Sequence, residues 1–303
     1  MSIRPVDRQS LATPTLEGAG VHLHRAFGFH DPKRHDPFLL FDDFRGDHPG
    51  DYAGGFPWHP HRGIETITYV LAGSVDHGDS LGNAGRLKAG DVQWMTAGSG
   101  ILHQEMPKGN AQGQMHGFQL WANLPRDLKM TTPRYQDVKS RDIPEILEDD
   151  GTVVKVITGN FWGRSGPVDG IAADPLYLDI YVPPLRRKTF PIDTRRKAFA
   201  YVFEGAGKFA DASDPRGVLL EKEVRGEEVN IRDLSGNRTL IQFGKGDEVA
   251  VQAGPDGLRF LLVAGAPIQE PVAWHGPIVM NTAEELRTAM AELRNGTFIK
   301  PAH

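Results

Sequence analysis

The chain repeats itself, and the repeat narrows the choice of fold more than any other feature of the sequence. Tyr69-Val70-Leu71-Ala72-Gly73 recurs as Tyr201-Val202-Phe203-Glu204-Gly205 at an offset of 132 residues. Gly90-Asp91-Val92 and Ala97-Gly98 recur as Gly246-Asp247-Glu248 and Ala253-Gly254 at an offset of 156. The matches fall in the same order, so the second copy is 24 residues longer between them, an insertion that we place in the run 211–236. Self-similarity of this kind means two copies of one structural module. The full length of 303 residues leaves about 150 residues for each, an ordinary domain size.

The modules read as β. The chain holds 35 glycines and 22 prolines, and such frequent breaks favour short strands over long helices. In 64–71, Ile67, Tyr69 and Leu71 alternate onto one face, and Gly73 closes the strand. Further strands are expected at 92–96, 101–105 and 117–121 in the first copy. In the second they are expected at 176–182, 198–203, 239–243, 248–252 and 259–264. The fold class is therefore all-β, two jelly-roll barrels. One helix stands out: Thr282 and Glu285 form a capping-box pair, Leu286, Met290 and Leu293 follow at helical spacing, and Gly296 marks its stop. Domain docking is its expected use. The acidic, proline-interrupted run 142–151 reads as the connection, which gives domains 1–141 and 142–303, the latter carrying the helix.

Two short motifs bring chemistry to the first module. His59-Pro60-His61 and His103-Gln104-Glu105 each place two ligating side chains two residues apart, and alternate residues of a strand share a face. Three imidazoles and a carboxylate can thus converge inside a barrel. Imidazole suits zinc, copper, iron and nickel, and one carboxylate without cysteine favours a non-haem ion with positions left for other ligands. The offsets carry His59 and His61 onto Pro191 and Asp193, and His103 and Glu105 onto Arg259 and Leu261. The second module is expected to keep the barrel and lack the metal. Of the other histidines, the His22-Leu23-His24 pair reads as an exposed strand. His30, His35, His48, His77, His275 and His303 read as structural or surface residues, and His116, beside Trp121, is placed at the border of the pocket.

A net charge of −5 and a pI near 6.2 argue against nucleic acid as the main partner. Arg186-Arg187-Lys188 and Arg195-Arg196-Lys197 read as solvated hairpin faces. The absence of cysteine excludes disulfides and thiolate ligands. The first residues lack the apolar core of a signal peptide, and no run approaches the ~18 apolar residues of a membrane span. A cytoplasmic protein without membrane contact is the expectation.

Longer motifs resemble those of the pirin family of bicupins. They are Asp36-Pro37-Phe38-Leu39-Leu40-Phe41-Asp42, Gly55-Phe56-Pro57 before His59-Pro60-His61-Arg62-Gly63, and Gln93-Trp94-Met95-Thr96-Ala97-Gly98 before Gly100-Ile101-Leu102-His103. Leu120-Trp121-Ala122-Asn123-Leu124-Pro125, Pro271-Val272-Ala273-Trp274-His275-Gly276-Pro277 and Met280-Asn281-Thr282 continue the match nearly end to end. The resemblance implies that His59, His61, His103 and Glu105 are the iron ligands. It implies Fe(II), with nickel, copper, manganese and zinc as alternatives. It also implies oxygen-dependent cleavage of flavonols such as quercetin with release of carbon monoxide, Glu105 serving as the base, and a small aromatic substrate. The alternative function is a non-enzymatic, iron- and redox-responsive protein that docks a protein partner. Common cupin motifs take their carboxylate four residues after the second histidine, which makes Glu65 the competitor of Glu105; Gly63 can bulge the strand and turn Glu65 away. Phe56 and Trp94 are candidates to line the pocket.

Overall fold

In the computed structural model the described residues are 2–170, 172–209 and 234–300. They are almost entirely β-structure, with one α-helix, Ala283–Arg294. They form two compact units. One takes 13–142, the short stretch 170–173 and the residues from 268 onward; the other takes the residues up to 12, 143–169 and 174–267.

The unit containing the histidine motifs is a sandwich of two antiparallel sheets. Its seven-stranded sheet runs Arg134–Val138, Val92–Thr96, Ile64–Ala72, Met115–Asn123, Phe38–Gly46, Val21–Phe27, Thr13–Glu17. Its four-stranded sheet runs Phe56–His61, Ile101–Lys108, Ser74–Asp79, Ala84–Lys88. Ile101–Lys108 shows the alternation of a strand with one inward face: Ile101, His103, Glu105 and Pro107 are buried. Ile64–Ala72 is buried on both faces from Ile64 to Val70, where Glu65 is the one charged residue in a run of apolar residues and threonine. Val21, Leu23, Phe44 and Val70 of the larger sheet pack on Val75 and Leu87 of the smaller, closing the jelly roll.

The turn from Phe56–His61 into Ile64–Ala72 is made at Gly63, where φ is +74°. A Cβ there would lie 2.0 Å from the carbonyl oxygen of Val279, so only glycine fits.

The other unit is built on one large sheet whose path runs Val6–Leu11, Thr239–Phe243, Lys197–Phe209, Glu248–Gly265, Leu176–Val182, Val153–Thr158, Glu145–Leu147. Its interior is filled by apolar side chains, with Phe260 meeting both Phe190 and Phe209 edge to face. The repeated segments occupy matching places: Tyr69 and Tyr201 lie in long central strands, and Gly90-Asp91 and Gly246-Asp247 each lead into the next strand. Of the insertion expected at 211–236, residues 211–233 lie outside the described residues; Ser235–Gly236 pairs with Ala206 and Gly207.

Three expectations are corrected. The strands expected at 248–252 and 259–264 are one, Glu248–Gly265, which absorbs the glycines between them because Gly257 takes φ +83° and its partner strand bulges at Gly205/Gly207. The run 142–151 contains a paired strand, Glu145–Leu147, and so is part of a sheet rather than a free connection. The helix joins the unit of 13–142, and the first residues join the other, where Val6–Leu11 pairs with Thr239–Phe243. Ladder hydrogen bonds and apolar burial decide this division, not proximity along the chain: Ala289 of the helix is buried with Ile278, Met280 and Phe298. The expected capping box forms, Thr282 Oγ1 accepting from Glu285 N–H and the Glu285 carboxylate accepting from Thr282 N–H at 2.9 Å.

Candidate metal centre

His59 and His61 stand on Phe56–His61, and His103 stands directly opposite His59 on the neighbouring antiparallel strand. One ring nitrogen from each lies within 4.8 Å of the others. The tautomers follow from the hydrogen bonds. A carbonyl oxygen only accepts, so His59 Nδ1–H donates to Pro57 O at 2.8 Å and His61 Nδ1–H donates to Pro277 O at 3.3 Å. With Nδ1 as the one N–H of each ring, His59 Nε2 and His61 Nε2 face each other, lone pair to lone pair, at 3.1 Å. That contact is repulsive by itself and favourable around a shared cation. The separation suits adjacent ligands each ~2.1 Å from one ion.

His103 is buried, and neither of its ring nitrogens has a protein partner among the described residues. Burial first, and then the neighbouring imidazoles, push His61 and His103 well below the usual imidazole range, which keeps them in the neutral form that metals bind. The donor set fits a divalent transition-metal ion.

Glu105 lies beside this cluster but outside the three-nitrogen group. The ladder with Phe56–His61 shifts register between His103 and Glu105. The Glu105 carboxylate is buried within reach of the Thr68 hydroxyl, 3.1 Å from Oε1, and burial raises its pKa against the opposing effects of His59 and Thr68. Thr68 has a single hydrogen, and Gln119 Oε1 also accepts from it, at 2.6 Å. Glu65 is elsewhere. The register from Glu65 to Tyr69 against Val92–Thr96 is regular, so Glu65 projects from the opposite face to Thr68. There it accepts from Thr96 Oγ1 at 2.8 Å, and burial pushes its pKa up to about 7.

Several neighbours escaped the sequence. His77 is buried directly opposite Glu105, with Gln93 Nε2 at 3.0 Å; the alternation Val75, His77, Asp79 was its signal. His116 does not border the pocket but meets Arg45, whose Nε lies 3.2 Å from its Nε2. Trp94 alternates with Gln93 and lies on the face away from Thr68, so it packs in the core, whereas Phe56 does line the cavity. Of the His22–His24 pair expected on an exposed strand, His22 is exposed but His24 is half-buried. Three residues of the basic runs are paired with carboxylates: Lys188 with Glu148 and Asp150, Arg195 with Asp193, and Arg196 with Asp174.

A cavity of about 260 Å³ opens onto His59, His61 and Glu105, with Phe56, Thr68 and Trp121 in its wall. The Trp121 indole stands edge-on to the His61 ring, 5.0 Å between centroids at 88°. Apolar walls with a few convergent polar groups are the make-up of a small-molecule site. Among the described residues no helix is long and apolar enough to cross a membrane.

Residues 20–122 match the family model described as Pirin, and residues 177–299 match the one described as Pirin C-terminal cupin domain. The chain belongs to the pirin family. The pirin-like protein of Caulobacter vibrioides is 43% identical over 98% of this chain and 100% of its own. Human pirin is 39% identical over 97% of this chain and 93% of its own. Among solved structures, a quercetin 2,3-dioxygenase from Acinetobacter baumannii superposes with a TM-score of 0.84 at 28% identity, covering 98% of this chain and 99% of that one. The pirin and cupin assignments made from the motifs therefore hold, as does the two-module all-β fold.

Proposed function

We propose that this pirin is an Fe(II)-dependent dioxygenase that opens the heterocycle of flavonols such as quercetin. The carrying observation is the pair of facing Nε2 atoms of His59 and His61, 3.1 Å apart at the wall of a small, largely apolar cavity. The likeness to the Acinetobacter enzyme supports the substrate class. In this proposal His59, His61 and His103 hold the ion and Glu105 is the fourth ligand and the base. Bound Fe(II) supplies Lewis-acid and one-electron chemistry to a substrate oxygen and to dioxygen. Phe56 and Trp121 flank the flat ring system and keep water from it. Glu105 takes the proton of the flavonol hydroxyl, its carboxylate lying in the wall of the same cavity. Thr68, donating to Gln119, leaves a lone pair to accept that proton's hydrogen bond from the resulting acid. Both atoms of dioxygen enter the opened product, and one ring carbon leaves as carbon monoxide.

Anaerobic loading with Fe(II), followed by oxygen and quercetin, tests this. The expected result is loss of the flavonol absorbance with carbon monoxide in the headspace, abolished in His59→Ala. Equal rates for the wild type and His59→Ala would overturn the proposal. Parallel loading with nickel, copper, manganese and zinc ranks the metals.

A further inference from the structure

Three consecutive residues at the end of the ligand strand are held by one distant segment, 268–300. His61 Nδ1–H donates to Pro277 O at 3.3 Å. The carbonyl of Arg62 accepts from Val279 N–H at 3.1 Å, and the Arg62 guanidinium donates to Glu292 Oε2 at 2.7 Å and to Phe298 O at 2.8 Å. The Phe298 ring also lies under that guanidinium, 4.2 Å from its carbon. The carbonyls of Gly63 and Val279 are joined through Lys129 Nζ, at 2.8 and 3.0 Å. Arg62 is 2% exposed, so its two terminal nitrogens exchange water for Glu292 and the Phe298 carbonyl, while its buried Nε has no hydrogen-bond partner.

We propose that the segment 268–300 is the orienting shell of the metal centre, with Arg62 as the positioning residue. Arg62, clamped by Glu292 and Phe298, draws the ligand strand against the hairpin that carries Pro277. The Pro277 carbonyl then fixes the His61 proton on Nδ1 and turns Nε2 toward the other imidazoles. Metal affinity thus depends on a helix and a phenylalanine that touch no ligand. The inference rests on His61 being a ligand, as in the function proposed above, but not on any reaction.

Cobalt(II) binding by the full-length protein, measured against a competing chelator, provides the test. Glu292→Gln and Phe298→Ala are each expected to weaken binding by about tenfold or more, the usual effect of losing outer-shell support. Glu292→Asp should recover part of it. The metal-free protein supplies a readout that general destabilisation does not move: the imidazole nitrogen spectrum of His61 should lose its single Nδ1–H tautomer in the weakened variants. Wild-type cobalt affinity and an unchanged His61 spectrum in both folded variants would overturn the proposal while leaving the metal site intact. If His61→Ala binds cobalt as the wild type does, the metal assignment itself fails and this inference falls with it.

Discussion

Two buried glutamates separate at the scale of single residues. Glu105 and Glu65 both have carboxyls raised by burial, but they project from different sheets and faces, Glu105 beside the imidazoles and Glu65 against Thr96. Glu105→Gln is expected to lower the iron content of purified protein, and Glu65→Gln to leave it unchanged; iron lost only from Glu65→Gln would reverse the assignment. Glu65 also predicts a pH dependence. Its folded pKa is about 7 against an ordinary 4.5, so between those values the folded protein keeps a proton that the unfolded chain has released. Stability then falls as pH rises through that window, by roughly 3 kcal/mol in all, and stays lower above it. Urea unfolding of the metal-free protein should show this fall between pH 4.5 and about 7, and Glu65→Gln should flatten it; equal slopes in both proteins would count against it. The histidines were legible because strand alternation needs only spacing. Thr68, Gln119 and Pro277 were not, since they approach the site across the sandwich or through a backbone oxygen, which no local pattern encodes.

Among the elements, the ligand strand depends on the tight turn at its end. Gly63 combines a positive φ with a backbone oxygen where its side chain would begin. Gly63→Ala should destabilise the fold by at least ~2 kcal/mol, since left-handed strain and a displaced Val279 add together. Thermal and denaturant unfolding would show it, and a change within experimental error would mean that the hairpin yields more easily than its packing implies. Strand existence was read well from alternation and glycine breaks. Strand length was not: Glu248–Gly265 runs through two glycines that look like a turn, because bulges let a bent strand keep its pairing.

The two modules share a plan in the whole molecule and differ in what fills them. Where one gathers imidazoles, the other packs Phe190, Phe209, Phe243 and Phe260 into an apolar interior. Elemental analysis should give one transition-metal ion per chain, and a ratio of two would refute the division of labour inferred from the offsets. The repeat made the pair of modules legible, but which ends belong to which module was set by long-range pairing and burial, beyond the reach of local sequence. The bond between His61 and Pro277 spans 216 positions of the chain. During synthesis all three imidazoles therefore leave the ribosome long before the carbonyl that orients one of them. The clamp on Arg62 comes later still, from Glu292 and Phe298, so the finished geometry is reached only when translation has passed Phe298.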